Sequence, residues 1–395
     1  MLKLHKLLLN EGHAQSFDEQ IKPRDLERRT LVQAKNDIRD HLRGAIRAAS
    51  IEVLGQDRMV EPRFRTQGSW TYGTCVRPAH LPPQEMDWDF GVYLPVTVWQ
   101  DHGPPAAMAR LYFDLVETAL QVLCDKKHWF LDKSKPTCSR VRIATWGHID
   151  VPLYAAPEEE FLKIAEKSLS EDQLRALCRE AAVLDESTDL GELWEAKWAF
   201  LDEVHLAIRN GAWKRSDPEA VANWFEDRIN RFGAGGAQLR RVCRYLKAWR
   251  DYHWVAGSGP SSVAIMISVA QAFEPVWHRD DVALEKAADV LGRALAGDIR
   301  EHGIDGGAED FNRLDTDARR VASMKASELS RQLYLARVNL SPNLKGEAIT
   351  IMQAQLGPRI PMDVALVETD GGADVVRLTT AAPVAPPVVG STHAG

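Results

Sequence analysis

Among five cysteines (Cys75, Cys124, Cys138, Cys178 and Cys243) there is no C-x-x-C pair, and the count is odd. That excludes a zinc ribbon and a paired disulfide framework, and it fits a reducing, cytoplasmic setting. Nowhere is there the run of about 20 apolar residues that a membrane helix needs. The opening MLKLHKLLLN is apolar for only ten residues and carries no small-residue cleavage site, so it makes a poor signal peptide. An excess of positive charge is also missing. The net charge is −7, which leaves no global basic field to hold long nucleic acid. A small anionic ligand in a local basic cleft remains compatible with that balance. No internal repeat is visible.

What is present is a chain of 395 residues, 45% hydrophobic and 27% charged. That is too long for one domain of about 100–150 residues, so two lobes are expected. Residues 24–54 read as one long helix, with Leu31, Ala34, Ile38, Leu42 and Ala45 at helical spacing. Lys35, Arg39, Arg43 and Arg47 recur every fourth residue along it, either as a solvated face or as one turned towards an anion. Residues 60–66, 86–96 and 140–156 read as strands and 107–127 as a helix, giving a mixed first half. After about residue 158 the pattern turns helical, with segments at 218–232, 237–254, 261–275, 280–298 and 314–338. Pro218 suits the first helical position after Asp217. From Ala381 to Gly395 no residue is charged and the composition is rich in Ala, Pro and Val, as in a flexible tail.

The chemistry is carried by acids. In a strand, Asp87 and Asp89 point to the same face. Two like charges held that close are costly without a cation. Upstream, Gly68-Ser69 in TQGSWTYGT forms a turn into a short helix, where backbone N–H groups and a hydroxyl suit a phosphate. Asp150 stands between Ile149 and Val151, and an Asp among strand apolars is not buried unpaired. Strand alternation lets it face the same cleft. Three carboxylates fit two-metal nucleotidyl transfer, with two Mg²⁺ ions, or Mn²⁺ in their place.

GSWTYGT, DWDFGVYLP and HIDVPLYA resemble the G-S, D-x-D and third-Asp motifs of the bacterial cGAS/DncV-like nucleotidyltransferases, closest to the cyclic GMP–AMP synthase clade. The likeness covers about 66–156 and extends into LKAWRDYHW and PSS in the helical half. It implies an α+β fold: a polymerase-β-like lobe of mixed sheet and helices, an all-helical C-terminal lobe, and an active-site cleft between them. The boundaries expected are 1–157 for the catalytic lobe with its spine helix, 158–370 for the helical lobe, and 371–395 for the tail. It implies Asp87, Asp89 and Asp150 as metal and catalytic residues. Gln67, Gly68, Ser69, Tyr72, Lys247, Ser261 and Asp310 are the implied nucleotide contacts. In EDFNRL (309–314) a base-reading role competes with a simple helix start capped by Asp310 or Asn312. ATP and GTP are the implied substrates and 3′,3′-cyclic GMP–AMP the implied product, made for an anti-phage (CBASS) system and passed to a downstream effector. Gly395 is either a site for an E1/E2-like conjugating enzyme or an ordinary terminus. The alternatives are a template-free RNA nucleotidyltransferase, for which the basic surface is lacking, and a catalytically inactive adaptor of the same fold.

Overall fold

A computed structural model describes residues 1–10, 15–54, 58–96, 106–157, 161, 204–215 and 218–369. The tail from 371, Gly395 included, lies outside the described residues, as does Cys178.

The chain begins with a short strand β1 (Leu2–Lys3) and two short helices, α1 (His5–Leu8) and α2 (Phe17–Ile21). The spine helix α3 (Asp25–Ala49) follows. Its first turn is held by Glu27, whose carboxylate accepts from the Arg24 backbone N–H at 2.9 Å, a side-chain cap of the kind an N-terminus requires. Leu31, Ala34, Ile38, Leu42 and Ile46 form its buried stripe, with Ile46 in the place expected for Ala45. Then come β2 (Arg63–Gln67), α4 (Gly68–Thr71), β3 (Met86–Val96), α5 (Ala106–Lys127), β4 (Phe130–Asp132), β5 (Cys138–Ala144) and β6 (Gly147–Pro157). The described sheet runs β2-β3-β6-β5-β4, with β3 and β6 parallel and the other pairs antiparallel. One face is covered by α3 and α5. Their apolar stripes meet Trp88, Phe90, Val92, Ile149 and Val151 in a single core. Strand β6 is buried along almost its whole length. Such a central parallel strand reads as a continuous apolar run rather than an alternation, so Asp150 stands out within it.

The helical half comprises α6 (Pro218–Arg231), α7 (Gly236–His253), α8 (Ser262–Gln271), α9 (Asp280–Leu295), α10 (His302–Asp305), α11 (Thr316–Tyr334) and α12 (Lys345–Leu356). A last strand, β9 (Glu368–Thr369), pairs antiparallel with β1.

Two features depart from the sequence reading. The segment 204–215 is not helical: β7 (His205–Ala207) and β8 (Trp213–Arg215) form a hairpin added to β6, so this stretch of the second half joins the first lobe's sheet. Conversely Leu2, Leu4, Leu7, Leu8, Phe17 and Ile21 pack into the core of the helical lobe. The Leu4 N–H donates to Asp281 at 2.9 Å and the Asp280 N–H to His5 at 3.0 Å, which ties α1 to the start of α9. The apolar opening of the chain is therefore a fastening of the helical lobe. Leu7→Ala is expected to cost about 2–5 kcal/mol through lost transfer and a cavity, read as a lower urea midpoint at unchanged slope.

The basic stripe of α3 splits: Arg39, Arg43 and Arg47 stay part-exposed, as on a solvated face, and Lys35 does not. Lys35 is buried, with its ammonium 5.1 Å above Trp88 and 5.9 Å from the Phe90 ring. Arg39 pairs with Asp40, and Arg43 and Arg47 both reach Glu61, at 3.1 and 3.2 Å. These guanidiniums already have carboxylates, so the stripe is not an open anion site.

The lobes meet where residues 72–84 lie along α7. Gln84 donates to the carbonyls of Asp251 and Trp254, Arg244 to that of Gly73 and Arg359 to that of Arg77. Deeper down, Arg65 of β2 and Glu219 of α6 form a buried ion pair at 3.0 Å. This seam fixes the distance across the cleft.

Candidate active site

A cleft of about 790 Å³ opens between the lobes. On the sheet side Gln67, Asp87 and Asp89 line it, and strand register sets the residues beside them. Gln67 pairs with Asp89 across β2 and β3, and Asp89 pairs with Asp150 across β3 and β6. One pleat further on, Asp87 stands opposite His148. Residues separated by two on one strand share a face, so Asp87 and Asp89 on β3 meet His148 and Asp150 on β6. The three acids read from the sequence therefore belong to one cluster.

Its electrostatics show the cost. Burial, then the charges of Asp87 and Asp150, hold the Asp89 carboxyl well above the usual carboxylate range. Burial acts to raise Asp87 too, but neighbouring His148, then Arg140 and Lys247, outweigh it and keep that carboxyl below its ordinary value. Asp150 is gripped by Arg140 of β5, its cross-strand partner: Nε donates to Oδ1 and an Nη to Oδ2, both at 2.7 Å. Glu85 anchors the other flank. It takes Arg142 Nε at 3.1 Å and lies 2.5 Å from His148 Nδ1.

The donor set suits a divalent cation. One ligand atom each from Asp87, His148 and Asp150 lie within 4.8 Å of one another. Asp87 Oδ1 and His148 Nε2 are both buried and face each other at 3.1 Å, a spacing that two ligands of one cation also take. A cation satisfying both is the arrangement these residues fit.

Gly68 explains the turn beside them. It adopts φ +65°, and a Cβ built there would come within 2.1 Å of Asp89 Oδ2. Only glycine meets both conditions at once. The turn leads into α4, whose Trp70 stacks on Trp88 at 4.2 Å and donates to the Asp87 carbonyl at 3.0 Å. Behind it, Gln67 donates to the Tyr93 hydroxyl at 2.7 Å and accepts from Tyr154 at 3.1 Å, beneath a stacked pair of tyrosine rings. Gln67, Gly68, Ser69 and Tyr72 all line the cleft.

The opposite wall belongs to the helical lobe. Lys247 of α7 is not a surface lysine: it is buried, and its ammonium donates to the Thr74 carbonyl at 2.6 Å. Burial, then the charge of Arg250, lowers it to about 8 against Cys75, Asp251 and Cys243, which act to raise it. Ser261 lines the cleft and caps α8, accepting from the Ala264 N–H at 3.1 Å and donating to the Phe311 carbonyl. Cap and cleft position coexist in one residue.

Asp310 is the correction. It does not line the cleft. Its Oδ1 accepts from the N–H groups of Ile299 and Asn312, both at 2.9 Å, and its Oδ2 is paired with Arg319 at 2.5 Å. These bonds hold the carboxyl down at about 2. Asn312 spends its amide on the carbonyls of Leu295 and Gly297. The segment is a structural knot, and from it only Arg313 reaches the cleft. The sequence reading also missed His148, Glu85, Arg140 and Arg250. A signal for His148 was available: H-x-D in HIDV repeats the spacing of D-x-D.

Two family models match the chain. That of the nucleotidyltransferase domain of DncV-like cyclic GMP-AMP synthases covers residues 62–154, and that of the cyclic GMP-AMP synthase C-terminal domain covers 236–369. Among curated proteins, a cyclic GMP-AMP synthase of Vibrio cholerae serotype O1 is 39% identical over 234 residues, 58% of this chain and 50% of the relative. One of Escherichia coli is 38% identical over 221 residues, 55% of this chain and 49% of the relative. The chain thus spans about half the length of the curated relatives it matches. Among solved structures, that of Vibrio cholerae DncV cyclic AMP-GMP synthase with the linear intermediate 5′ pppA(3′,5′)pG superposes with a TM-score of 0.71 at 25% identity, covering 94% of this chain and 99% of that one.

Proposed function

The chain belongs to the DncV-like nucleotidyltransferases, and from that premise we propose that it joins ATP and GTP into a cyclic dinucleotide, 3′,3′-cyclic GMP–AMP, releasing pyrophosphate. The observation that carries this reading is the meeting of Asp87, Asp89 and Asp150 on two parallel strands, with Asp87 and Asp89 lining a cleft that a buried lysine also lines. A long nucleic acid is not required, in keeping with the net charge of −7.

Divalent cations, Mg²⁺ or Mn²⁺, would be held by the three acids, and there they lower the pKa of the attacking ribose hydroxyl and offset charge on the triphosphate and leaving pyrophosphate. The chain's own residues do the positioning. The Lys247 ammonium and the N-terminal N–H groups of α8 behind Ser261 face a polyphosphate from one wall. The turn at Gly68-Ser69 offers its backbone from the other. In each round a ribose 3′-hydroxyl would give up its proton to a carboxylate of the cluster as its oxygen forms a bond to the α-phosphorus, and the bond from that phosphorus to pyrophosphate breaks. Both phosphodiesters would form in this one cleft, so the linear intermediate must turn round between rounds. The same reading places the enzyme in the cytoplasm as the signal source of an anti-phage system. In support, Cys75, Cys124, Cys138 and Cys243 are free.

The test is product analysis with labelled ATP, GTP, CTP and UTP, singly and in pairs, with no RNA added. A cyclic product from ATP plus GTP is expected. Products that need added RNA would defeat this assignment.

Lys247 gives the reading a pH signature. Its cationic form is what a triphosphate attracts, and in the free cleft that form is lost as pH rises through about 8. A bound polyphosphate draws the proton back, so binding takes up as much as one proton. Affinity for a nonhydrolysable triphosphate should fall by up to about tenfold per pH unit above 8, and Lys247→Arg should flatten that fall. Calorimetry in buffers of different ionisation enthalpy measures it. Equal slopes in wild type and variant would remove Lys247 from the phosphate site.

A further inference from the structure

We propose that Asp251, one helical turn beyond Lys247, accepts a hydrogen bond from a ribose hydroxyl of the nucleotide whose triphosphate Lys247 holds, so that the cleft selects for an intact ribose. This rests on the nucleotidyltransferase reading above and adds to it a contact for the sugar.

Asp251 stands four residues after Lys247 on α7, and residues at that spacing share a helix face, about 6 Å apart along the axis. Both are buried and both line the cleft. A carboxylate repels a polyphosphate, so what lies against Asp251 is an uncharged part of the same ligand. The ribose is the part next to the phosphates, and the base lies further on.

Only one oxygen of that carboxylate is taken. Oδ1 accepts from Arg250 Nε at 2.9 Å and from Arg250 Nη2 at 2.7 Å. Oδ2 takes no hydrogen bond among the described residues, and it is not among the buried atoms left without a partner, so it is open to the cleft that the residue lines. A carboxylate oxygen accepts and cannot donate. A base edge with two adjacent donors suits a carboxylate with both oxygens open, whereas one hydroxyl suits the single oxygen left here.

The surroundings hold that oxygen still. Adjacent residues on a helix do not ordinarily face one another. Arg250 nevertheless turns onto Asp251, while its Nη1 is fastened to Ser262 Oγ at 2.8 Å and to the Pro260 carbonyl at 3.4 Å. Gly259 leaves the room for this: a Cβ there would stand 3.0 Å from Arg250 Cγ and 2.9 Å from Trp254 Cγ. From the catalytic lobe, Gln84 donates to the Asp251 carbonyl at 2.7 Å. Backbone and side chain are both pinned before a ligand arrives, so little ordering is left to oppose the bond.

The experiment is titration calorimetry on the full chain in Mg²⁺, with nonhydrolysable ATP and GTP analogues beside their 2′,3′-dideoxy counterparts, for the wild type, Asp251→Asn and Asp251→Ala. In the wild type the ribose form of at least one base should bind about tenfold or more tighter than its dideoxy form, the worth of a hydrogen bond to a charged acceptor. Each variant should shrink that ratio to about threefold or less by weakening the ribose form. The dideoxy form lacks the contact and serves as the control for an intact cleft. Equal binding of the two forms by the wild type, or an undiminished ratio in a variant that still binds the dideoxy form, would overturn the role of Asp251 and leave the nucleotidyltransferase reading standing. No triphosphate binding by the wild type would remove both. Should neither variant fold, a crystal structure of the wild type with the ribose analogue decides: Oδ2 within hydrogen-bond reach of a ribose hydroxyl is expected, and both hydroxyls beyond its reach would defeat the assignment.

Discussion

Asparagine at Asp87 and Asp89 should abolish product formation, and the Asp89 change taken alone should leave the fold at least as stable as the wild type. Losing metal ligands removes several kcal/mol of transition-state stabilisation, a loss of about a thousandfold or more in turnover. Stability should move the other way. Asp89 is held well above its usual range by burial and by the charges of Asp87 and Asp150. Asparagine at position 89 removes that repulsion without removing volume, so the melting temperature of the metal-free protein should rise. A site arranged for function stores such a conflict, and relieving it costs activity. Turnover with ATP and GTP, set beside metal-free thermal melts, checks both signs. A double variant that keeps measurable turnover would mean the chemistry sits elsewhere.

Gly68→Ala should lower kcat/KM by about a hundredfold, although it adds a single methyl group. The backbone there has φ +65°, which a side chain tolerates at a cost of about 1–3 kcal/mol. The new Cβ would also stand 2.1 Å from Asp89 Oδ2, so the carboxylate or the turn must move. Displacing a reacting group by about 1 Å costs on the order of a hundredfold in rate. Mn²⁺ affinity should fall along with turnover, because Asp89 is the group displaced. Unchanged kinetics would show that the turn yields without disturbing the acid.

Much of the cleft was legible because period and spacing carry it. Alternation put Asp87 and Asp89 on one face, and the isolation of Asp150 in an apolar strand marked it as the third. Lys247 and Ser261 came through likeness of motif, and both line the cleft. Asp310 failed because a carboxylate near a helix start has two uses, and the backbone N–H groups of Ile299 and Asn312 took it. Lys35 failed for a different reason. Its place in a four-residue charge repeat suggested solvent, yet helical drift along α3 carried it onto the apolar side over Trp88. Arg140 and His148 depend on strand register, which no local pattern states. The lobe membership of residues 2–21 depends on packing and bonds to residues more than 200 positions away, such as Asp280 and Asp281, and on the pairing of Leu2–Lys3 with Glu368–Thr369.

That pairing bears on the order in which the molecule is completed during synthesis. Among the described residues the core of the helical lobe takes pieces from residues 2–21 and as late as Leu366 and Val367, with the described sheet between them in the chain. On the ribosome the sheet and its helices can fold while Leu2, Leu4 and Leu7 still wait for partners not yet made. Lys247 lies on α7, so until that helix and those it packs on have emerged, a partly translated chain would hold its acids in place with nothing across from them.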